Sequence, residues 1–401
     1  MRASSITEII DPGPLRVSGA LKTSMGVLAG LGVLGFFLAY SNDPREAFAL
    51  LLVNYSFYLF LALGGLFFTA LSYAANARWS IPMRRLTEGF AAFIPVSFLL
   101  LIGIFAGSTH LYEWARETGY PYEGSLKAMY LSLPGFVVRG VLFTGAMTLL
   151  YKLIVGSSVR QDTTRDLETK GHNVRRSIIF LIVFALGFTL FSMDLLMSMQ
   201  SRFYSTMWGI YCFAGMHQSA AAVLVLMLLA LRRAGYLDRY VQKFHMYDIG
   251  TWVMGFSTFM CYIGFSQFML IWYANLQDET FWFMQRMEGG WLVILALLPI
   301  LKWIVPFFLL MPYRARTSPV VLTVVCLSIL AGQWLDLYWV VMPTVATDLE
   351  PFRLPGLADA LLFLGVGGMF GFSLLSFYGK HSLMPVGDPH ILPAVNGEYL
   401  H

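Results

Sequence analysis

Long apolar runs that contain few charged residues recur along the whole chain. A helix needs about 20 apolar residues to cross the hydrocarbon core of a bilayer, and each run is long enough to do so. Only 12% of the 401 residues are charged, whereas soluble proteins carry about 25%. The pattern therefore predicts an all-α integral membrane protein and excludes an ordinary soluble enzyme.

The apolar runs predict ten transmembrane helices. Their predicted bounds are 24–41, 47–75, 87–108, 131–155, 177–198, 205–231, 247–275, 290–312, 318–342 and 357–378. An even number of spans places both termini on one side of the membrane. Nineteen of the 27 Lys and Arg residues lie on that side and six on the other, and cytoplasmic loops are the ones rich in these residues. We therefore expect both termini to be cytoplasmic.

The whole chain is expected to form one membrane domain. Residues 1–23 make a cytoplasmic N-terminal segment, 24–378 the ten-helix domain and 379–401 a cytoplasmic tail. Because the tail is rich in proline, we expect it to be extended and bound to a partner, or disordered. Spans two to five and six to nine are two antiparallel groups of four, each with an acid in its last span, Asp194 or Asp336. This repetition predicts two four-helix bundles with spans one and ten at the periphery.

Several ionisable residues fall within the predicted spans. Such residues are costly in a bilayer and are functional candidates by default. They are spread through the depth of the membrane, as a proton path requires, because each proton transfer needs a titratable group or water within hydrogen-bond reach. The candidate path consists of Asp248, His217, Lys302, Asp194, Asp336 and Arg139.

Each of these residues also has a structural interpretation. Asp194 and Asp336 could both pair with Arg139 and hold helices together. Lys302 could likewise form an ion pair whose role is only structural. His217 could make a hydrogen bond between helices. Asp248 could serve only to start a helix. The sequence leaves these alternatives open.

The sequence gives no sign of a resident redox centre or metal site, and no catalytic residue is assigned. The three cysteines lie within spans without a CxxC or CxxCH motif, which argues against iron–sulfur ligation and c-type haem. Of the seven histidines only His110 and His217 lie in or near the bilayer, at different depths, so a b-type haem is not expected. The basic residues form no patch for nucleic acid, and the surroundings are the lipid bilayer.

Four segments resemble a known family. Residues 191–215 read FSMDLLMSMQSRFYSTMWGIYCFAG and resemble the hairpin between the fifth and sixth helices of the NrfD/PsrC-like membrane subunits of alternative complex III, a bacterial quinol:electron acceptor oxidoreductase. Residues 244–280, 303–317 (WIVPFFLLMPYRART) and 332–343 (GQWLDLYWVVMP) resemble the following helices. The complex has two such subunits, and residues 51–85, 110–115 (HLYEWA) and 133–162 resemble the shorter, ActF type.

The resemblance covers roughly residues 20 to 380 and implies a setting for the chain. It implies the bacterial inner membrane and a respiratory or photosynthetic electron transport chain. The implied partners are a sister ten-helix subunit, an iron–sulfur subunit, c-type cytochrome subunits and other small membrane subunits. Iron–sulfur clusters and haem c would belong to those partners, and a quinone such as menaquinone would be the substrate. Asp194, Asp336 and Asp248 match the acids of the family's motifs.

Three functional hypotheses follow. The first is a membrane subunit without its own redox cofactor, which anchors the outer redox subunits and conducts protons. An alternative to proton conduction is that the subunit is a purely structural scaffold. In the second, the chain itself binds and oxidises quinol, with His110 and either Asp194 or Asp336 accepting the protons. The third is a secondary transporter. This hypothesis is the weakest of the three, because the paired glycines of the chain, 64–65 and 367–368, do not occupy matching spans.

Overall fold

A computed structural model describes residues 6–116, 125–346 and 352–398. Ten helices in these ranges are long and apolar enough to cross a membrane, and the only β-type pairing in the same ranges is one isolated bridge between Pro14 and Ser382. The predicted all-α, multi-pass membrane fold is confirmed. The helices are α1 Gly19–Asn42, α2 Pro44–Ala74, α3 Arg78–Ala106, α4 Leu133–Thr164, α5 Glu168–Met199, α6 Trp208–Arg233, α7 Lys243–Ala274, α8 Trp291–Leu310, α9 Pro319–Thr344 and α10 Leu357–Tyr378.

The helices form the two predicted four-helix bundles. In the first bundle α2, α3, α4 and α5 each pack on the next and α5 closes on α2, and in the second α6, α7, α8 and α9 do the same. The bundles meet where α2 packs on α6 and α9, so every residue of α2 from Ala49 to Leu66 is buried. Helices α1 and α10 pair with each other and pack on α2.

The pairing of α1 with α10 depends on two glycines that face each other. A Cβ atom built on Gly32 would lie 2.6 Å from the Cα of Gly365. Real side chains do not approach a backbone this closely, so both positions must be glycine for the helices to meet as they do. The end of α10 also lies beside the segment before α1, since the N–H of Leu15 donates to the carbonyl of Tyr378 at 2.8 Å. We call this side the terminal face and the other the opposite face.

Helix α8 is interrupted in the middle of the membrane. Pro299 ends its first α-helical part, residues Ile300–Ile304 form a π-helical turn, and Val305–Leu310 resume the α-helix. A proline lacks the N–H that an α-helix requires at an interior position, and π-helical turns occur frequently at functional sites. The interruption places Lys302 in the π-helical turn, where its side chain is buried.

The C-terminal tail is folded onto the terminal face, so the expectation of an extended or disordered tail is wrong for its described residues. Leu383 and Met384 are fully buried, and residues Ile391–Asn396 form a short helix. Part of this segment packs in an apolar cluster with the N-terminal segment and the start of α3. Apolar residues between the prolines provide this packing surface, and the prediction gave the prolines too much weight.

A buried charge cluster fastens the tail to α3. Arg84 donates to Asp388 of the tail at 2.6 Å and lies 3.7 Å from Glu88. Arg85 contacts both Glu88 and Asp162 at 2.5 Å. Burial alone would raise the pKa of Asp388, but the Arg84 guanidinium, with the backbone N–H of His390 and the charge of Lys170, holds that pKa below its ordinary value. The tail therefore supplies the Asp388 carboxylate, which balances the buried positive charge of Arg84 on α3.

We predict that Asp388→Asn destabilises the protein at neutral pH. Removing one partner of a buried ion pair costs about 3 kcal/mol or more. We expect a loss of stability close to about 3 kcal/mol, because Glu88 stays near the Arg84 guanidinium. The folded-state pKa of Asp388 is lowered, so its contribution is present above the unfolded pKa of about 4 and is lost as the pH falls through the folded value. Thermal unfolding in detergent across this pH range measures the difference between the two proteins.

Asp278→Asn provides the control for this prediction. Asp278 also pairs with an arginine, Arg202, but both side chains are 66% exposed. Exposed ion pairs contribute little to stability, so this variant should melt with the wild type. A melting temperature for Asp388→Asn that matches the wild type at neutral pH would contradict the structural role of the tail.

Candidate functional site

In each bundle an ion pair joins the third helix to the fourth, at the same position in the topology. In both cases the third helix supplies the cation and the fourth helix the acid. Arg139 of α4 pairs with Asp194 of α5, and Lys302 of α8 pairs with Asp336 of α9. The hypothesis that Arg139 neutralises both acids is therefore wrong for Asp336, because Asp336 belongs to the other bundle and has its own cation.

The pair in the first bundle has a rigid geometry. Arg139 donates from Nε and Nη2 to the two carboxylate oxygens of Asp194 at 2.7 and 3.1 Å. Its guanidinium also lies over the ring of Tyr130, with Cζ 3.8 Å from the ring centroid. A two-point contact of this kind fixes the relative position of the two side chains. The arrangement suits a structural connection between α4 and α5.

The pair in the second bundle belongs to a larger polar cluster. The Lys302 ammonium donates to Asp336 Oδ2 at 2.5 Å and to Gln333 Oε1 at 2.8 Å. The hydroxyl of Tyr211, on α6, donates to the other oxygen of the same carboxylate. Lys302 and Asp336 are 3% and 2% exposed. We call Tyr211, Lys302, Gln333 and Asp336 the α9 cluster.

Two glycines make room for the α9 cluster. A Cβ atom on Gly332 would lie 2.7 Å from Lys302 Cγ, and one on Gly215 would lie 2.5 Å from Gln333 Oε1. At each of these glycines a long polar side chain therefore lies directly against the helix backbone. This is the local reason that a lysine and a glutamine fit between closely packed membrane helices.

His217 is fully buried in the middle of α6. Its Nε2 accepts a hydrogen bond from the indole N–H of Trp252, on α7, at 2.9 Å. Since an indole N–H can only donate, the proton of the neutral imidazole is on Nδ1, and Nδ1 has no hydrogen-bond partner among the described residues. The next residue, Gln218, donates to Ser257 at 2.9 Å and to the carbonyl of Lys302 at 2.6 Å.

Asp248 lies on α7 near the terminal face and does not start the helix. Helix α7 begins at Lys243, and a capping box formed by Gln242 and His245 completes its first turn. The alternative that Asp248 serves only as a helix start is therefore wrong. Asp248 borders a cavity of about 650 Å³, and Trp252, which contacts His217, borders the same cavity.

His110 lies apart from the acids with which the quinol hypothesis combined it. It belongs to the short helix Ser108–Leu111 at the opposite face, and its ring stacks on Phe48 with the centroids 5.4 Å apart. In the described parts of the chain no hydrogen bond or ion pair joins it to Asp194 or Asp336. These two acids also lie in different bundles.

A cavity of about 340 Å³ adjoins the α9 cluster. Tyr211, Lys302 and Asp336 border it together with Gln267 of α7 and Trp303 of α8. The sequence analysis gave no role to Tyr211, Gln267, Trp303 or Gln333. Tyr211 belongs to the hairpin at 191–215 and lies one turn after the start of α6. That position was the sequence feature from which its place in the site could have been inferred.

We also searched the described residues for a metal site and compared the chain with known proteins. Within residues 6–116, 125–346 and 352–398 no group of three His, Cys, Asp or Glu side chains is placed to hold a metal ion. Comparison with known protein families gives no match. Comparison with curated proteins also gives no match.

We predict that either single substitution of the ion pair in the second bundle destabilises the fold and that the double substitution does not. Lys302→Met and Asp336→Leu each leave one buried charge without its partner, which costs about 3–5 kcal/mol. Replacing both residues with apolar ones of similar size is commonly neutral or stabilising. Thermal unfolding of the three variants in detergent measures these differences. A double variant as unstable as either single variant would contradict the pairing.

Proposed function

We propose that this chain is an integral membrane subunit of a quinol:electron acceptor oxidoreductase and that its second bundle conducts protons. The resemblance to the membrane subunits of alternative complex III supports the complex, the bacterial inner membrane and the partners named above. The excess of basic residues on the terminal face supports a cytoplasmic location for both termini. In this role the chain anchors the outer redox subunits and carries no redox cofactor itself.

The observation that carries the proton role is the order of polar groups in the second bundle. Asp248 borders a cavity near the terminal face, and Trp252 joins that cavity to His217. Gln218 follows His217 and contacts the backbone of Lys302, whose ammonium binds Asp336. The cavity beside Asp336 lies in the half of the bundle nearer the opposite face. Proton transfer at this depth requires such a series of polar groups.

Asp336 is the residue at which a proton would change the cluster most. Its carboxylate accepts hydrogen bonds from both Lys302 and Tyr211. A proton on Asp336 removes the charge that balances the Lys302 ammonium, which then keeps only Gln333 as a partner. An unbalanced buried cation is unfavourable, so protonation of Asp336 favours release of a proton from the Lys302 ammonium to another acceptor, and this release passes a proton onward.

The pair in the first bundle is assigned a structural role in this proposal. An arginine stays protonated in proteins, whereas a buried lysine loses its proton readily. Arg139 therefore holds the Asp194 carboxylate by a permanent charge at two points. The proton path that we propose consists of Asp248, His217, Lys302 and Asp336, and it leaves out Asp194 and Arg139.

We predict that Asp336→Asn lowers the number of protons moved per electron. The amide cannot bind and release a proton, but it keeps the size of the carboxylate and an acceptor for Lys302. The measurement uses the complete complex in liposomes and records quinol oxidation and proton movement together. The proton ratio should fall severalfold, whereas quinol turnover on membranes made leaky with an uncoupler should be retained.

Asp194→Asn is the matched control, since Asp194 is equally buried and is also paired with a basic residue. This variant should keep the wild-type proton ratio, and both variants must keep the full set of subunits. An unchanged ratio in Asp336→Asn would assign Asp336 to structure alone and make the chain a scaffold. An equal fall in both variants would show that the path is not confined to the second bundle.

A further inference from the structure

Arg286 is fully buried at the opposite-face end of the second bundle and has no acidic partner. It lies in the last turn of the short helix Gln277–Met287, and no carboxylate of the described chain pairs with its guanidinium. The other buried arginines and lysines of the described residues all pair with an acid, and they are Arg84, Arg85 and Lys302. A buried cation without a counter-charge is costly, so the position of Arg286 requires an explanation.

The hydrogen-bond partners of Arg286 are all neutral. Its Nη1 donates to the side-chain oxygen of Gln200 at 3.1 Å and to the carbonyl of Trp282 at 3.0 Å, and its Nη2 donates to the carbonyl of Val340 at 2.7 Å. The Nε–H has no partner among the described residues. Burial lowers the pKa of Arg286, but an arginine side chain does not lose its proton in proteins. The contacts therefore hold a positive charge in place without supplying a full negative charge.

The guanidinium of Arg286 lies beyond Asp336 in the direction of the opposite face. Helix α9 runs toward that face, and Val340, which accepts from Arg286, follows Asp336 by one turn, or about 6 Å along the axis. The ring of Trp282 borders the cavity beside the α9 cluster, and the Arg286 Cζ lies 3.7 Å from the centroid of the same ring. A proton that leaves this cavity toward the opposite face therefore approaches a fixed positive charge.

Aromatic side chains close the same end of the bundle. The ring of Trp282 packs against three other buried rings at centroid distances of 4.7, 5.8 and 5.3 Å, those of Phe203, Trp208 and Trp339. The indole N–H of Trp339 donates to the carbonyl of Arg286 at 3.2 Å, so it is already used. Rings of this kind offer a proton no titratable group, and their apolar surroundings strengthen the field of the nearby guanidinium.

We propose that Arg286 is an electrostatic barrier that closes the second bundle to protons on the side of the opposite face. A fixed arginine charge can exclude protons and other cations from a membrane pore in this way. A path that moves protons together with electrons must not let them return on their own, and a permanent positive charge at its end opposes that return. The inference rests on the proton path proposed above, because the barrier acts on protons that travel to or from Asp336.

The test is the passive proton flux through the full chain in sealed liposomes. A potassium gradient with valinomycin makes the interior negative, and a pH-sensitive dye trapped inside reports the entry of protons. Gln200→Glu is the principal variant, because it places a carboxylate where a neutral oxygen already accepts from Arg286. With the charge of Arg286 neutralised, protons should enter about tenfold faster than in the wild type. The variant should remain folded, because the new acid gives a buried cation its missing partner.

Two further variants separate the charge of Arg286 from its role in packing. Arg286→Met removes the charge and should raise the proton flux as Gln200→Glu does. Gln277→Glu is the matched control, since it adds the same negative charge at an exposed position of the same short helix, and its flux should equal that of the wild type. All variants are compared by thermal unfolding. If Arg286→Met does not fold, Gln200→Glu still decides the question, because an arginine with only a structural role would leave the flux of that variant unchanged.

Adding Asp336→Asn to Gln200→Glu distinguishes the barrier from the proton path. If protons reach the barrier through Asp336, the double variant should lose the extra flux of Gln200→Glu. Extra flux that survives in the double variant would support the barrier and refute Asp336 as the group behind it. A wild-type flux in a correctly folded Gln200→Glu variant would overturn the barrier, whatever the role of Asp336.

Discussion

The hydrocarbon of a bilayer cannot solvate a charge, and this constraint determines how the two bundles hold together. A charged side chain at membrane depth must find its counter-charge on a neighbouring helix. Arg139 and Asp194 meet this requirement between α4 and α5, and Lys302 and Asp336 meet it between α8 and α9. Each bundle therefore has a strong, directional contact between its third and fourth helices, and apolar packing and further buried polar contacts add to it.

The two ion pairs occupy equivalent positions but have different chemistry. Arginine offers a planar, permanently charged group that fits both oxygens of Asp194. Lysine offers a compact ammonium on a flexible stem, and in α8 it lies on a π-helical turn beside a cavity. The environment of Lys302 thus allows changes in position and charge that the environment of Arg139 does not. A repeated topology has produced one fixed pair and one pair suited to proton transfer.

The sequence predicted the number of helices and their grouping into bundles, because these features follow from hydropathy and chain order. It did not predict that Asp336 pairs with Lys302 or that Trp252 contacts His217. Such contacts depend on the rotation of each helix, and helices that are apolar all round carry little sequence signal for rotation. The folded tail was missed because its contacts are made by single apolar residues between prolines.

The position of the α9 cluster between the proposed proton path and the neighbouring cavity has a thermodynamic consequence. Tyr211 and Asp336 border the cavity, and the Tyr211 hydroxyl donates to the Asp336 carboxylate of the proposed proton path. A ligand that changes the hydrogen bonds of Tyr211 alters the affinity of Asp336 for a proton, and protonation of Asp336 must then alter the affinity for the ligand by the same factor. In the proposed function, occupancy of the cavity and proton uptake would therefore be linked through one carboxylate, and this linkage would require no redox centre within the chain.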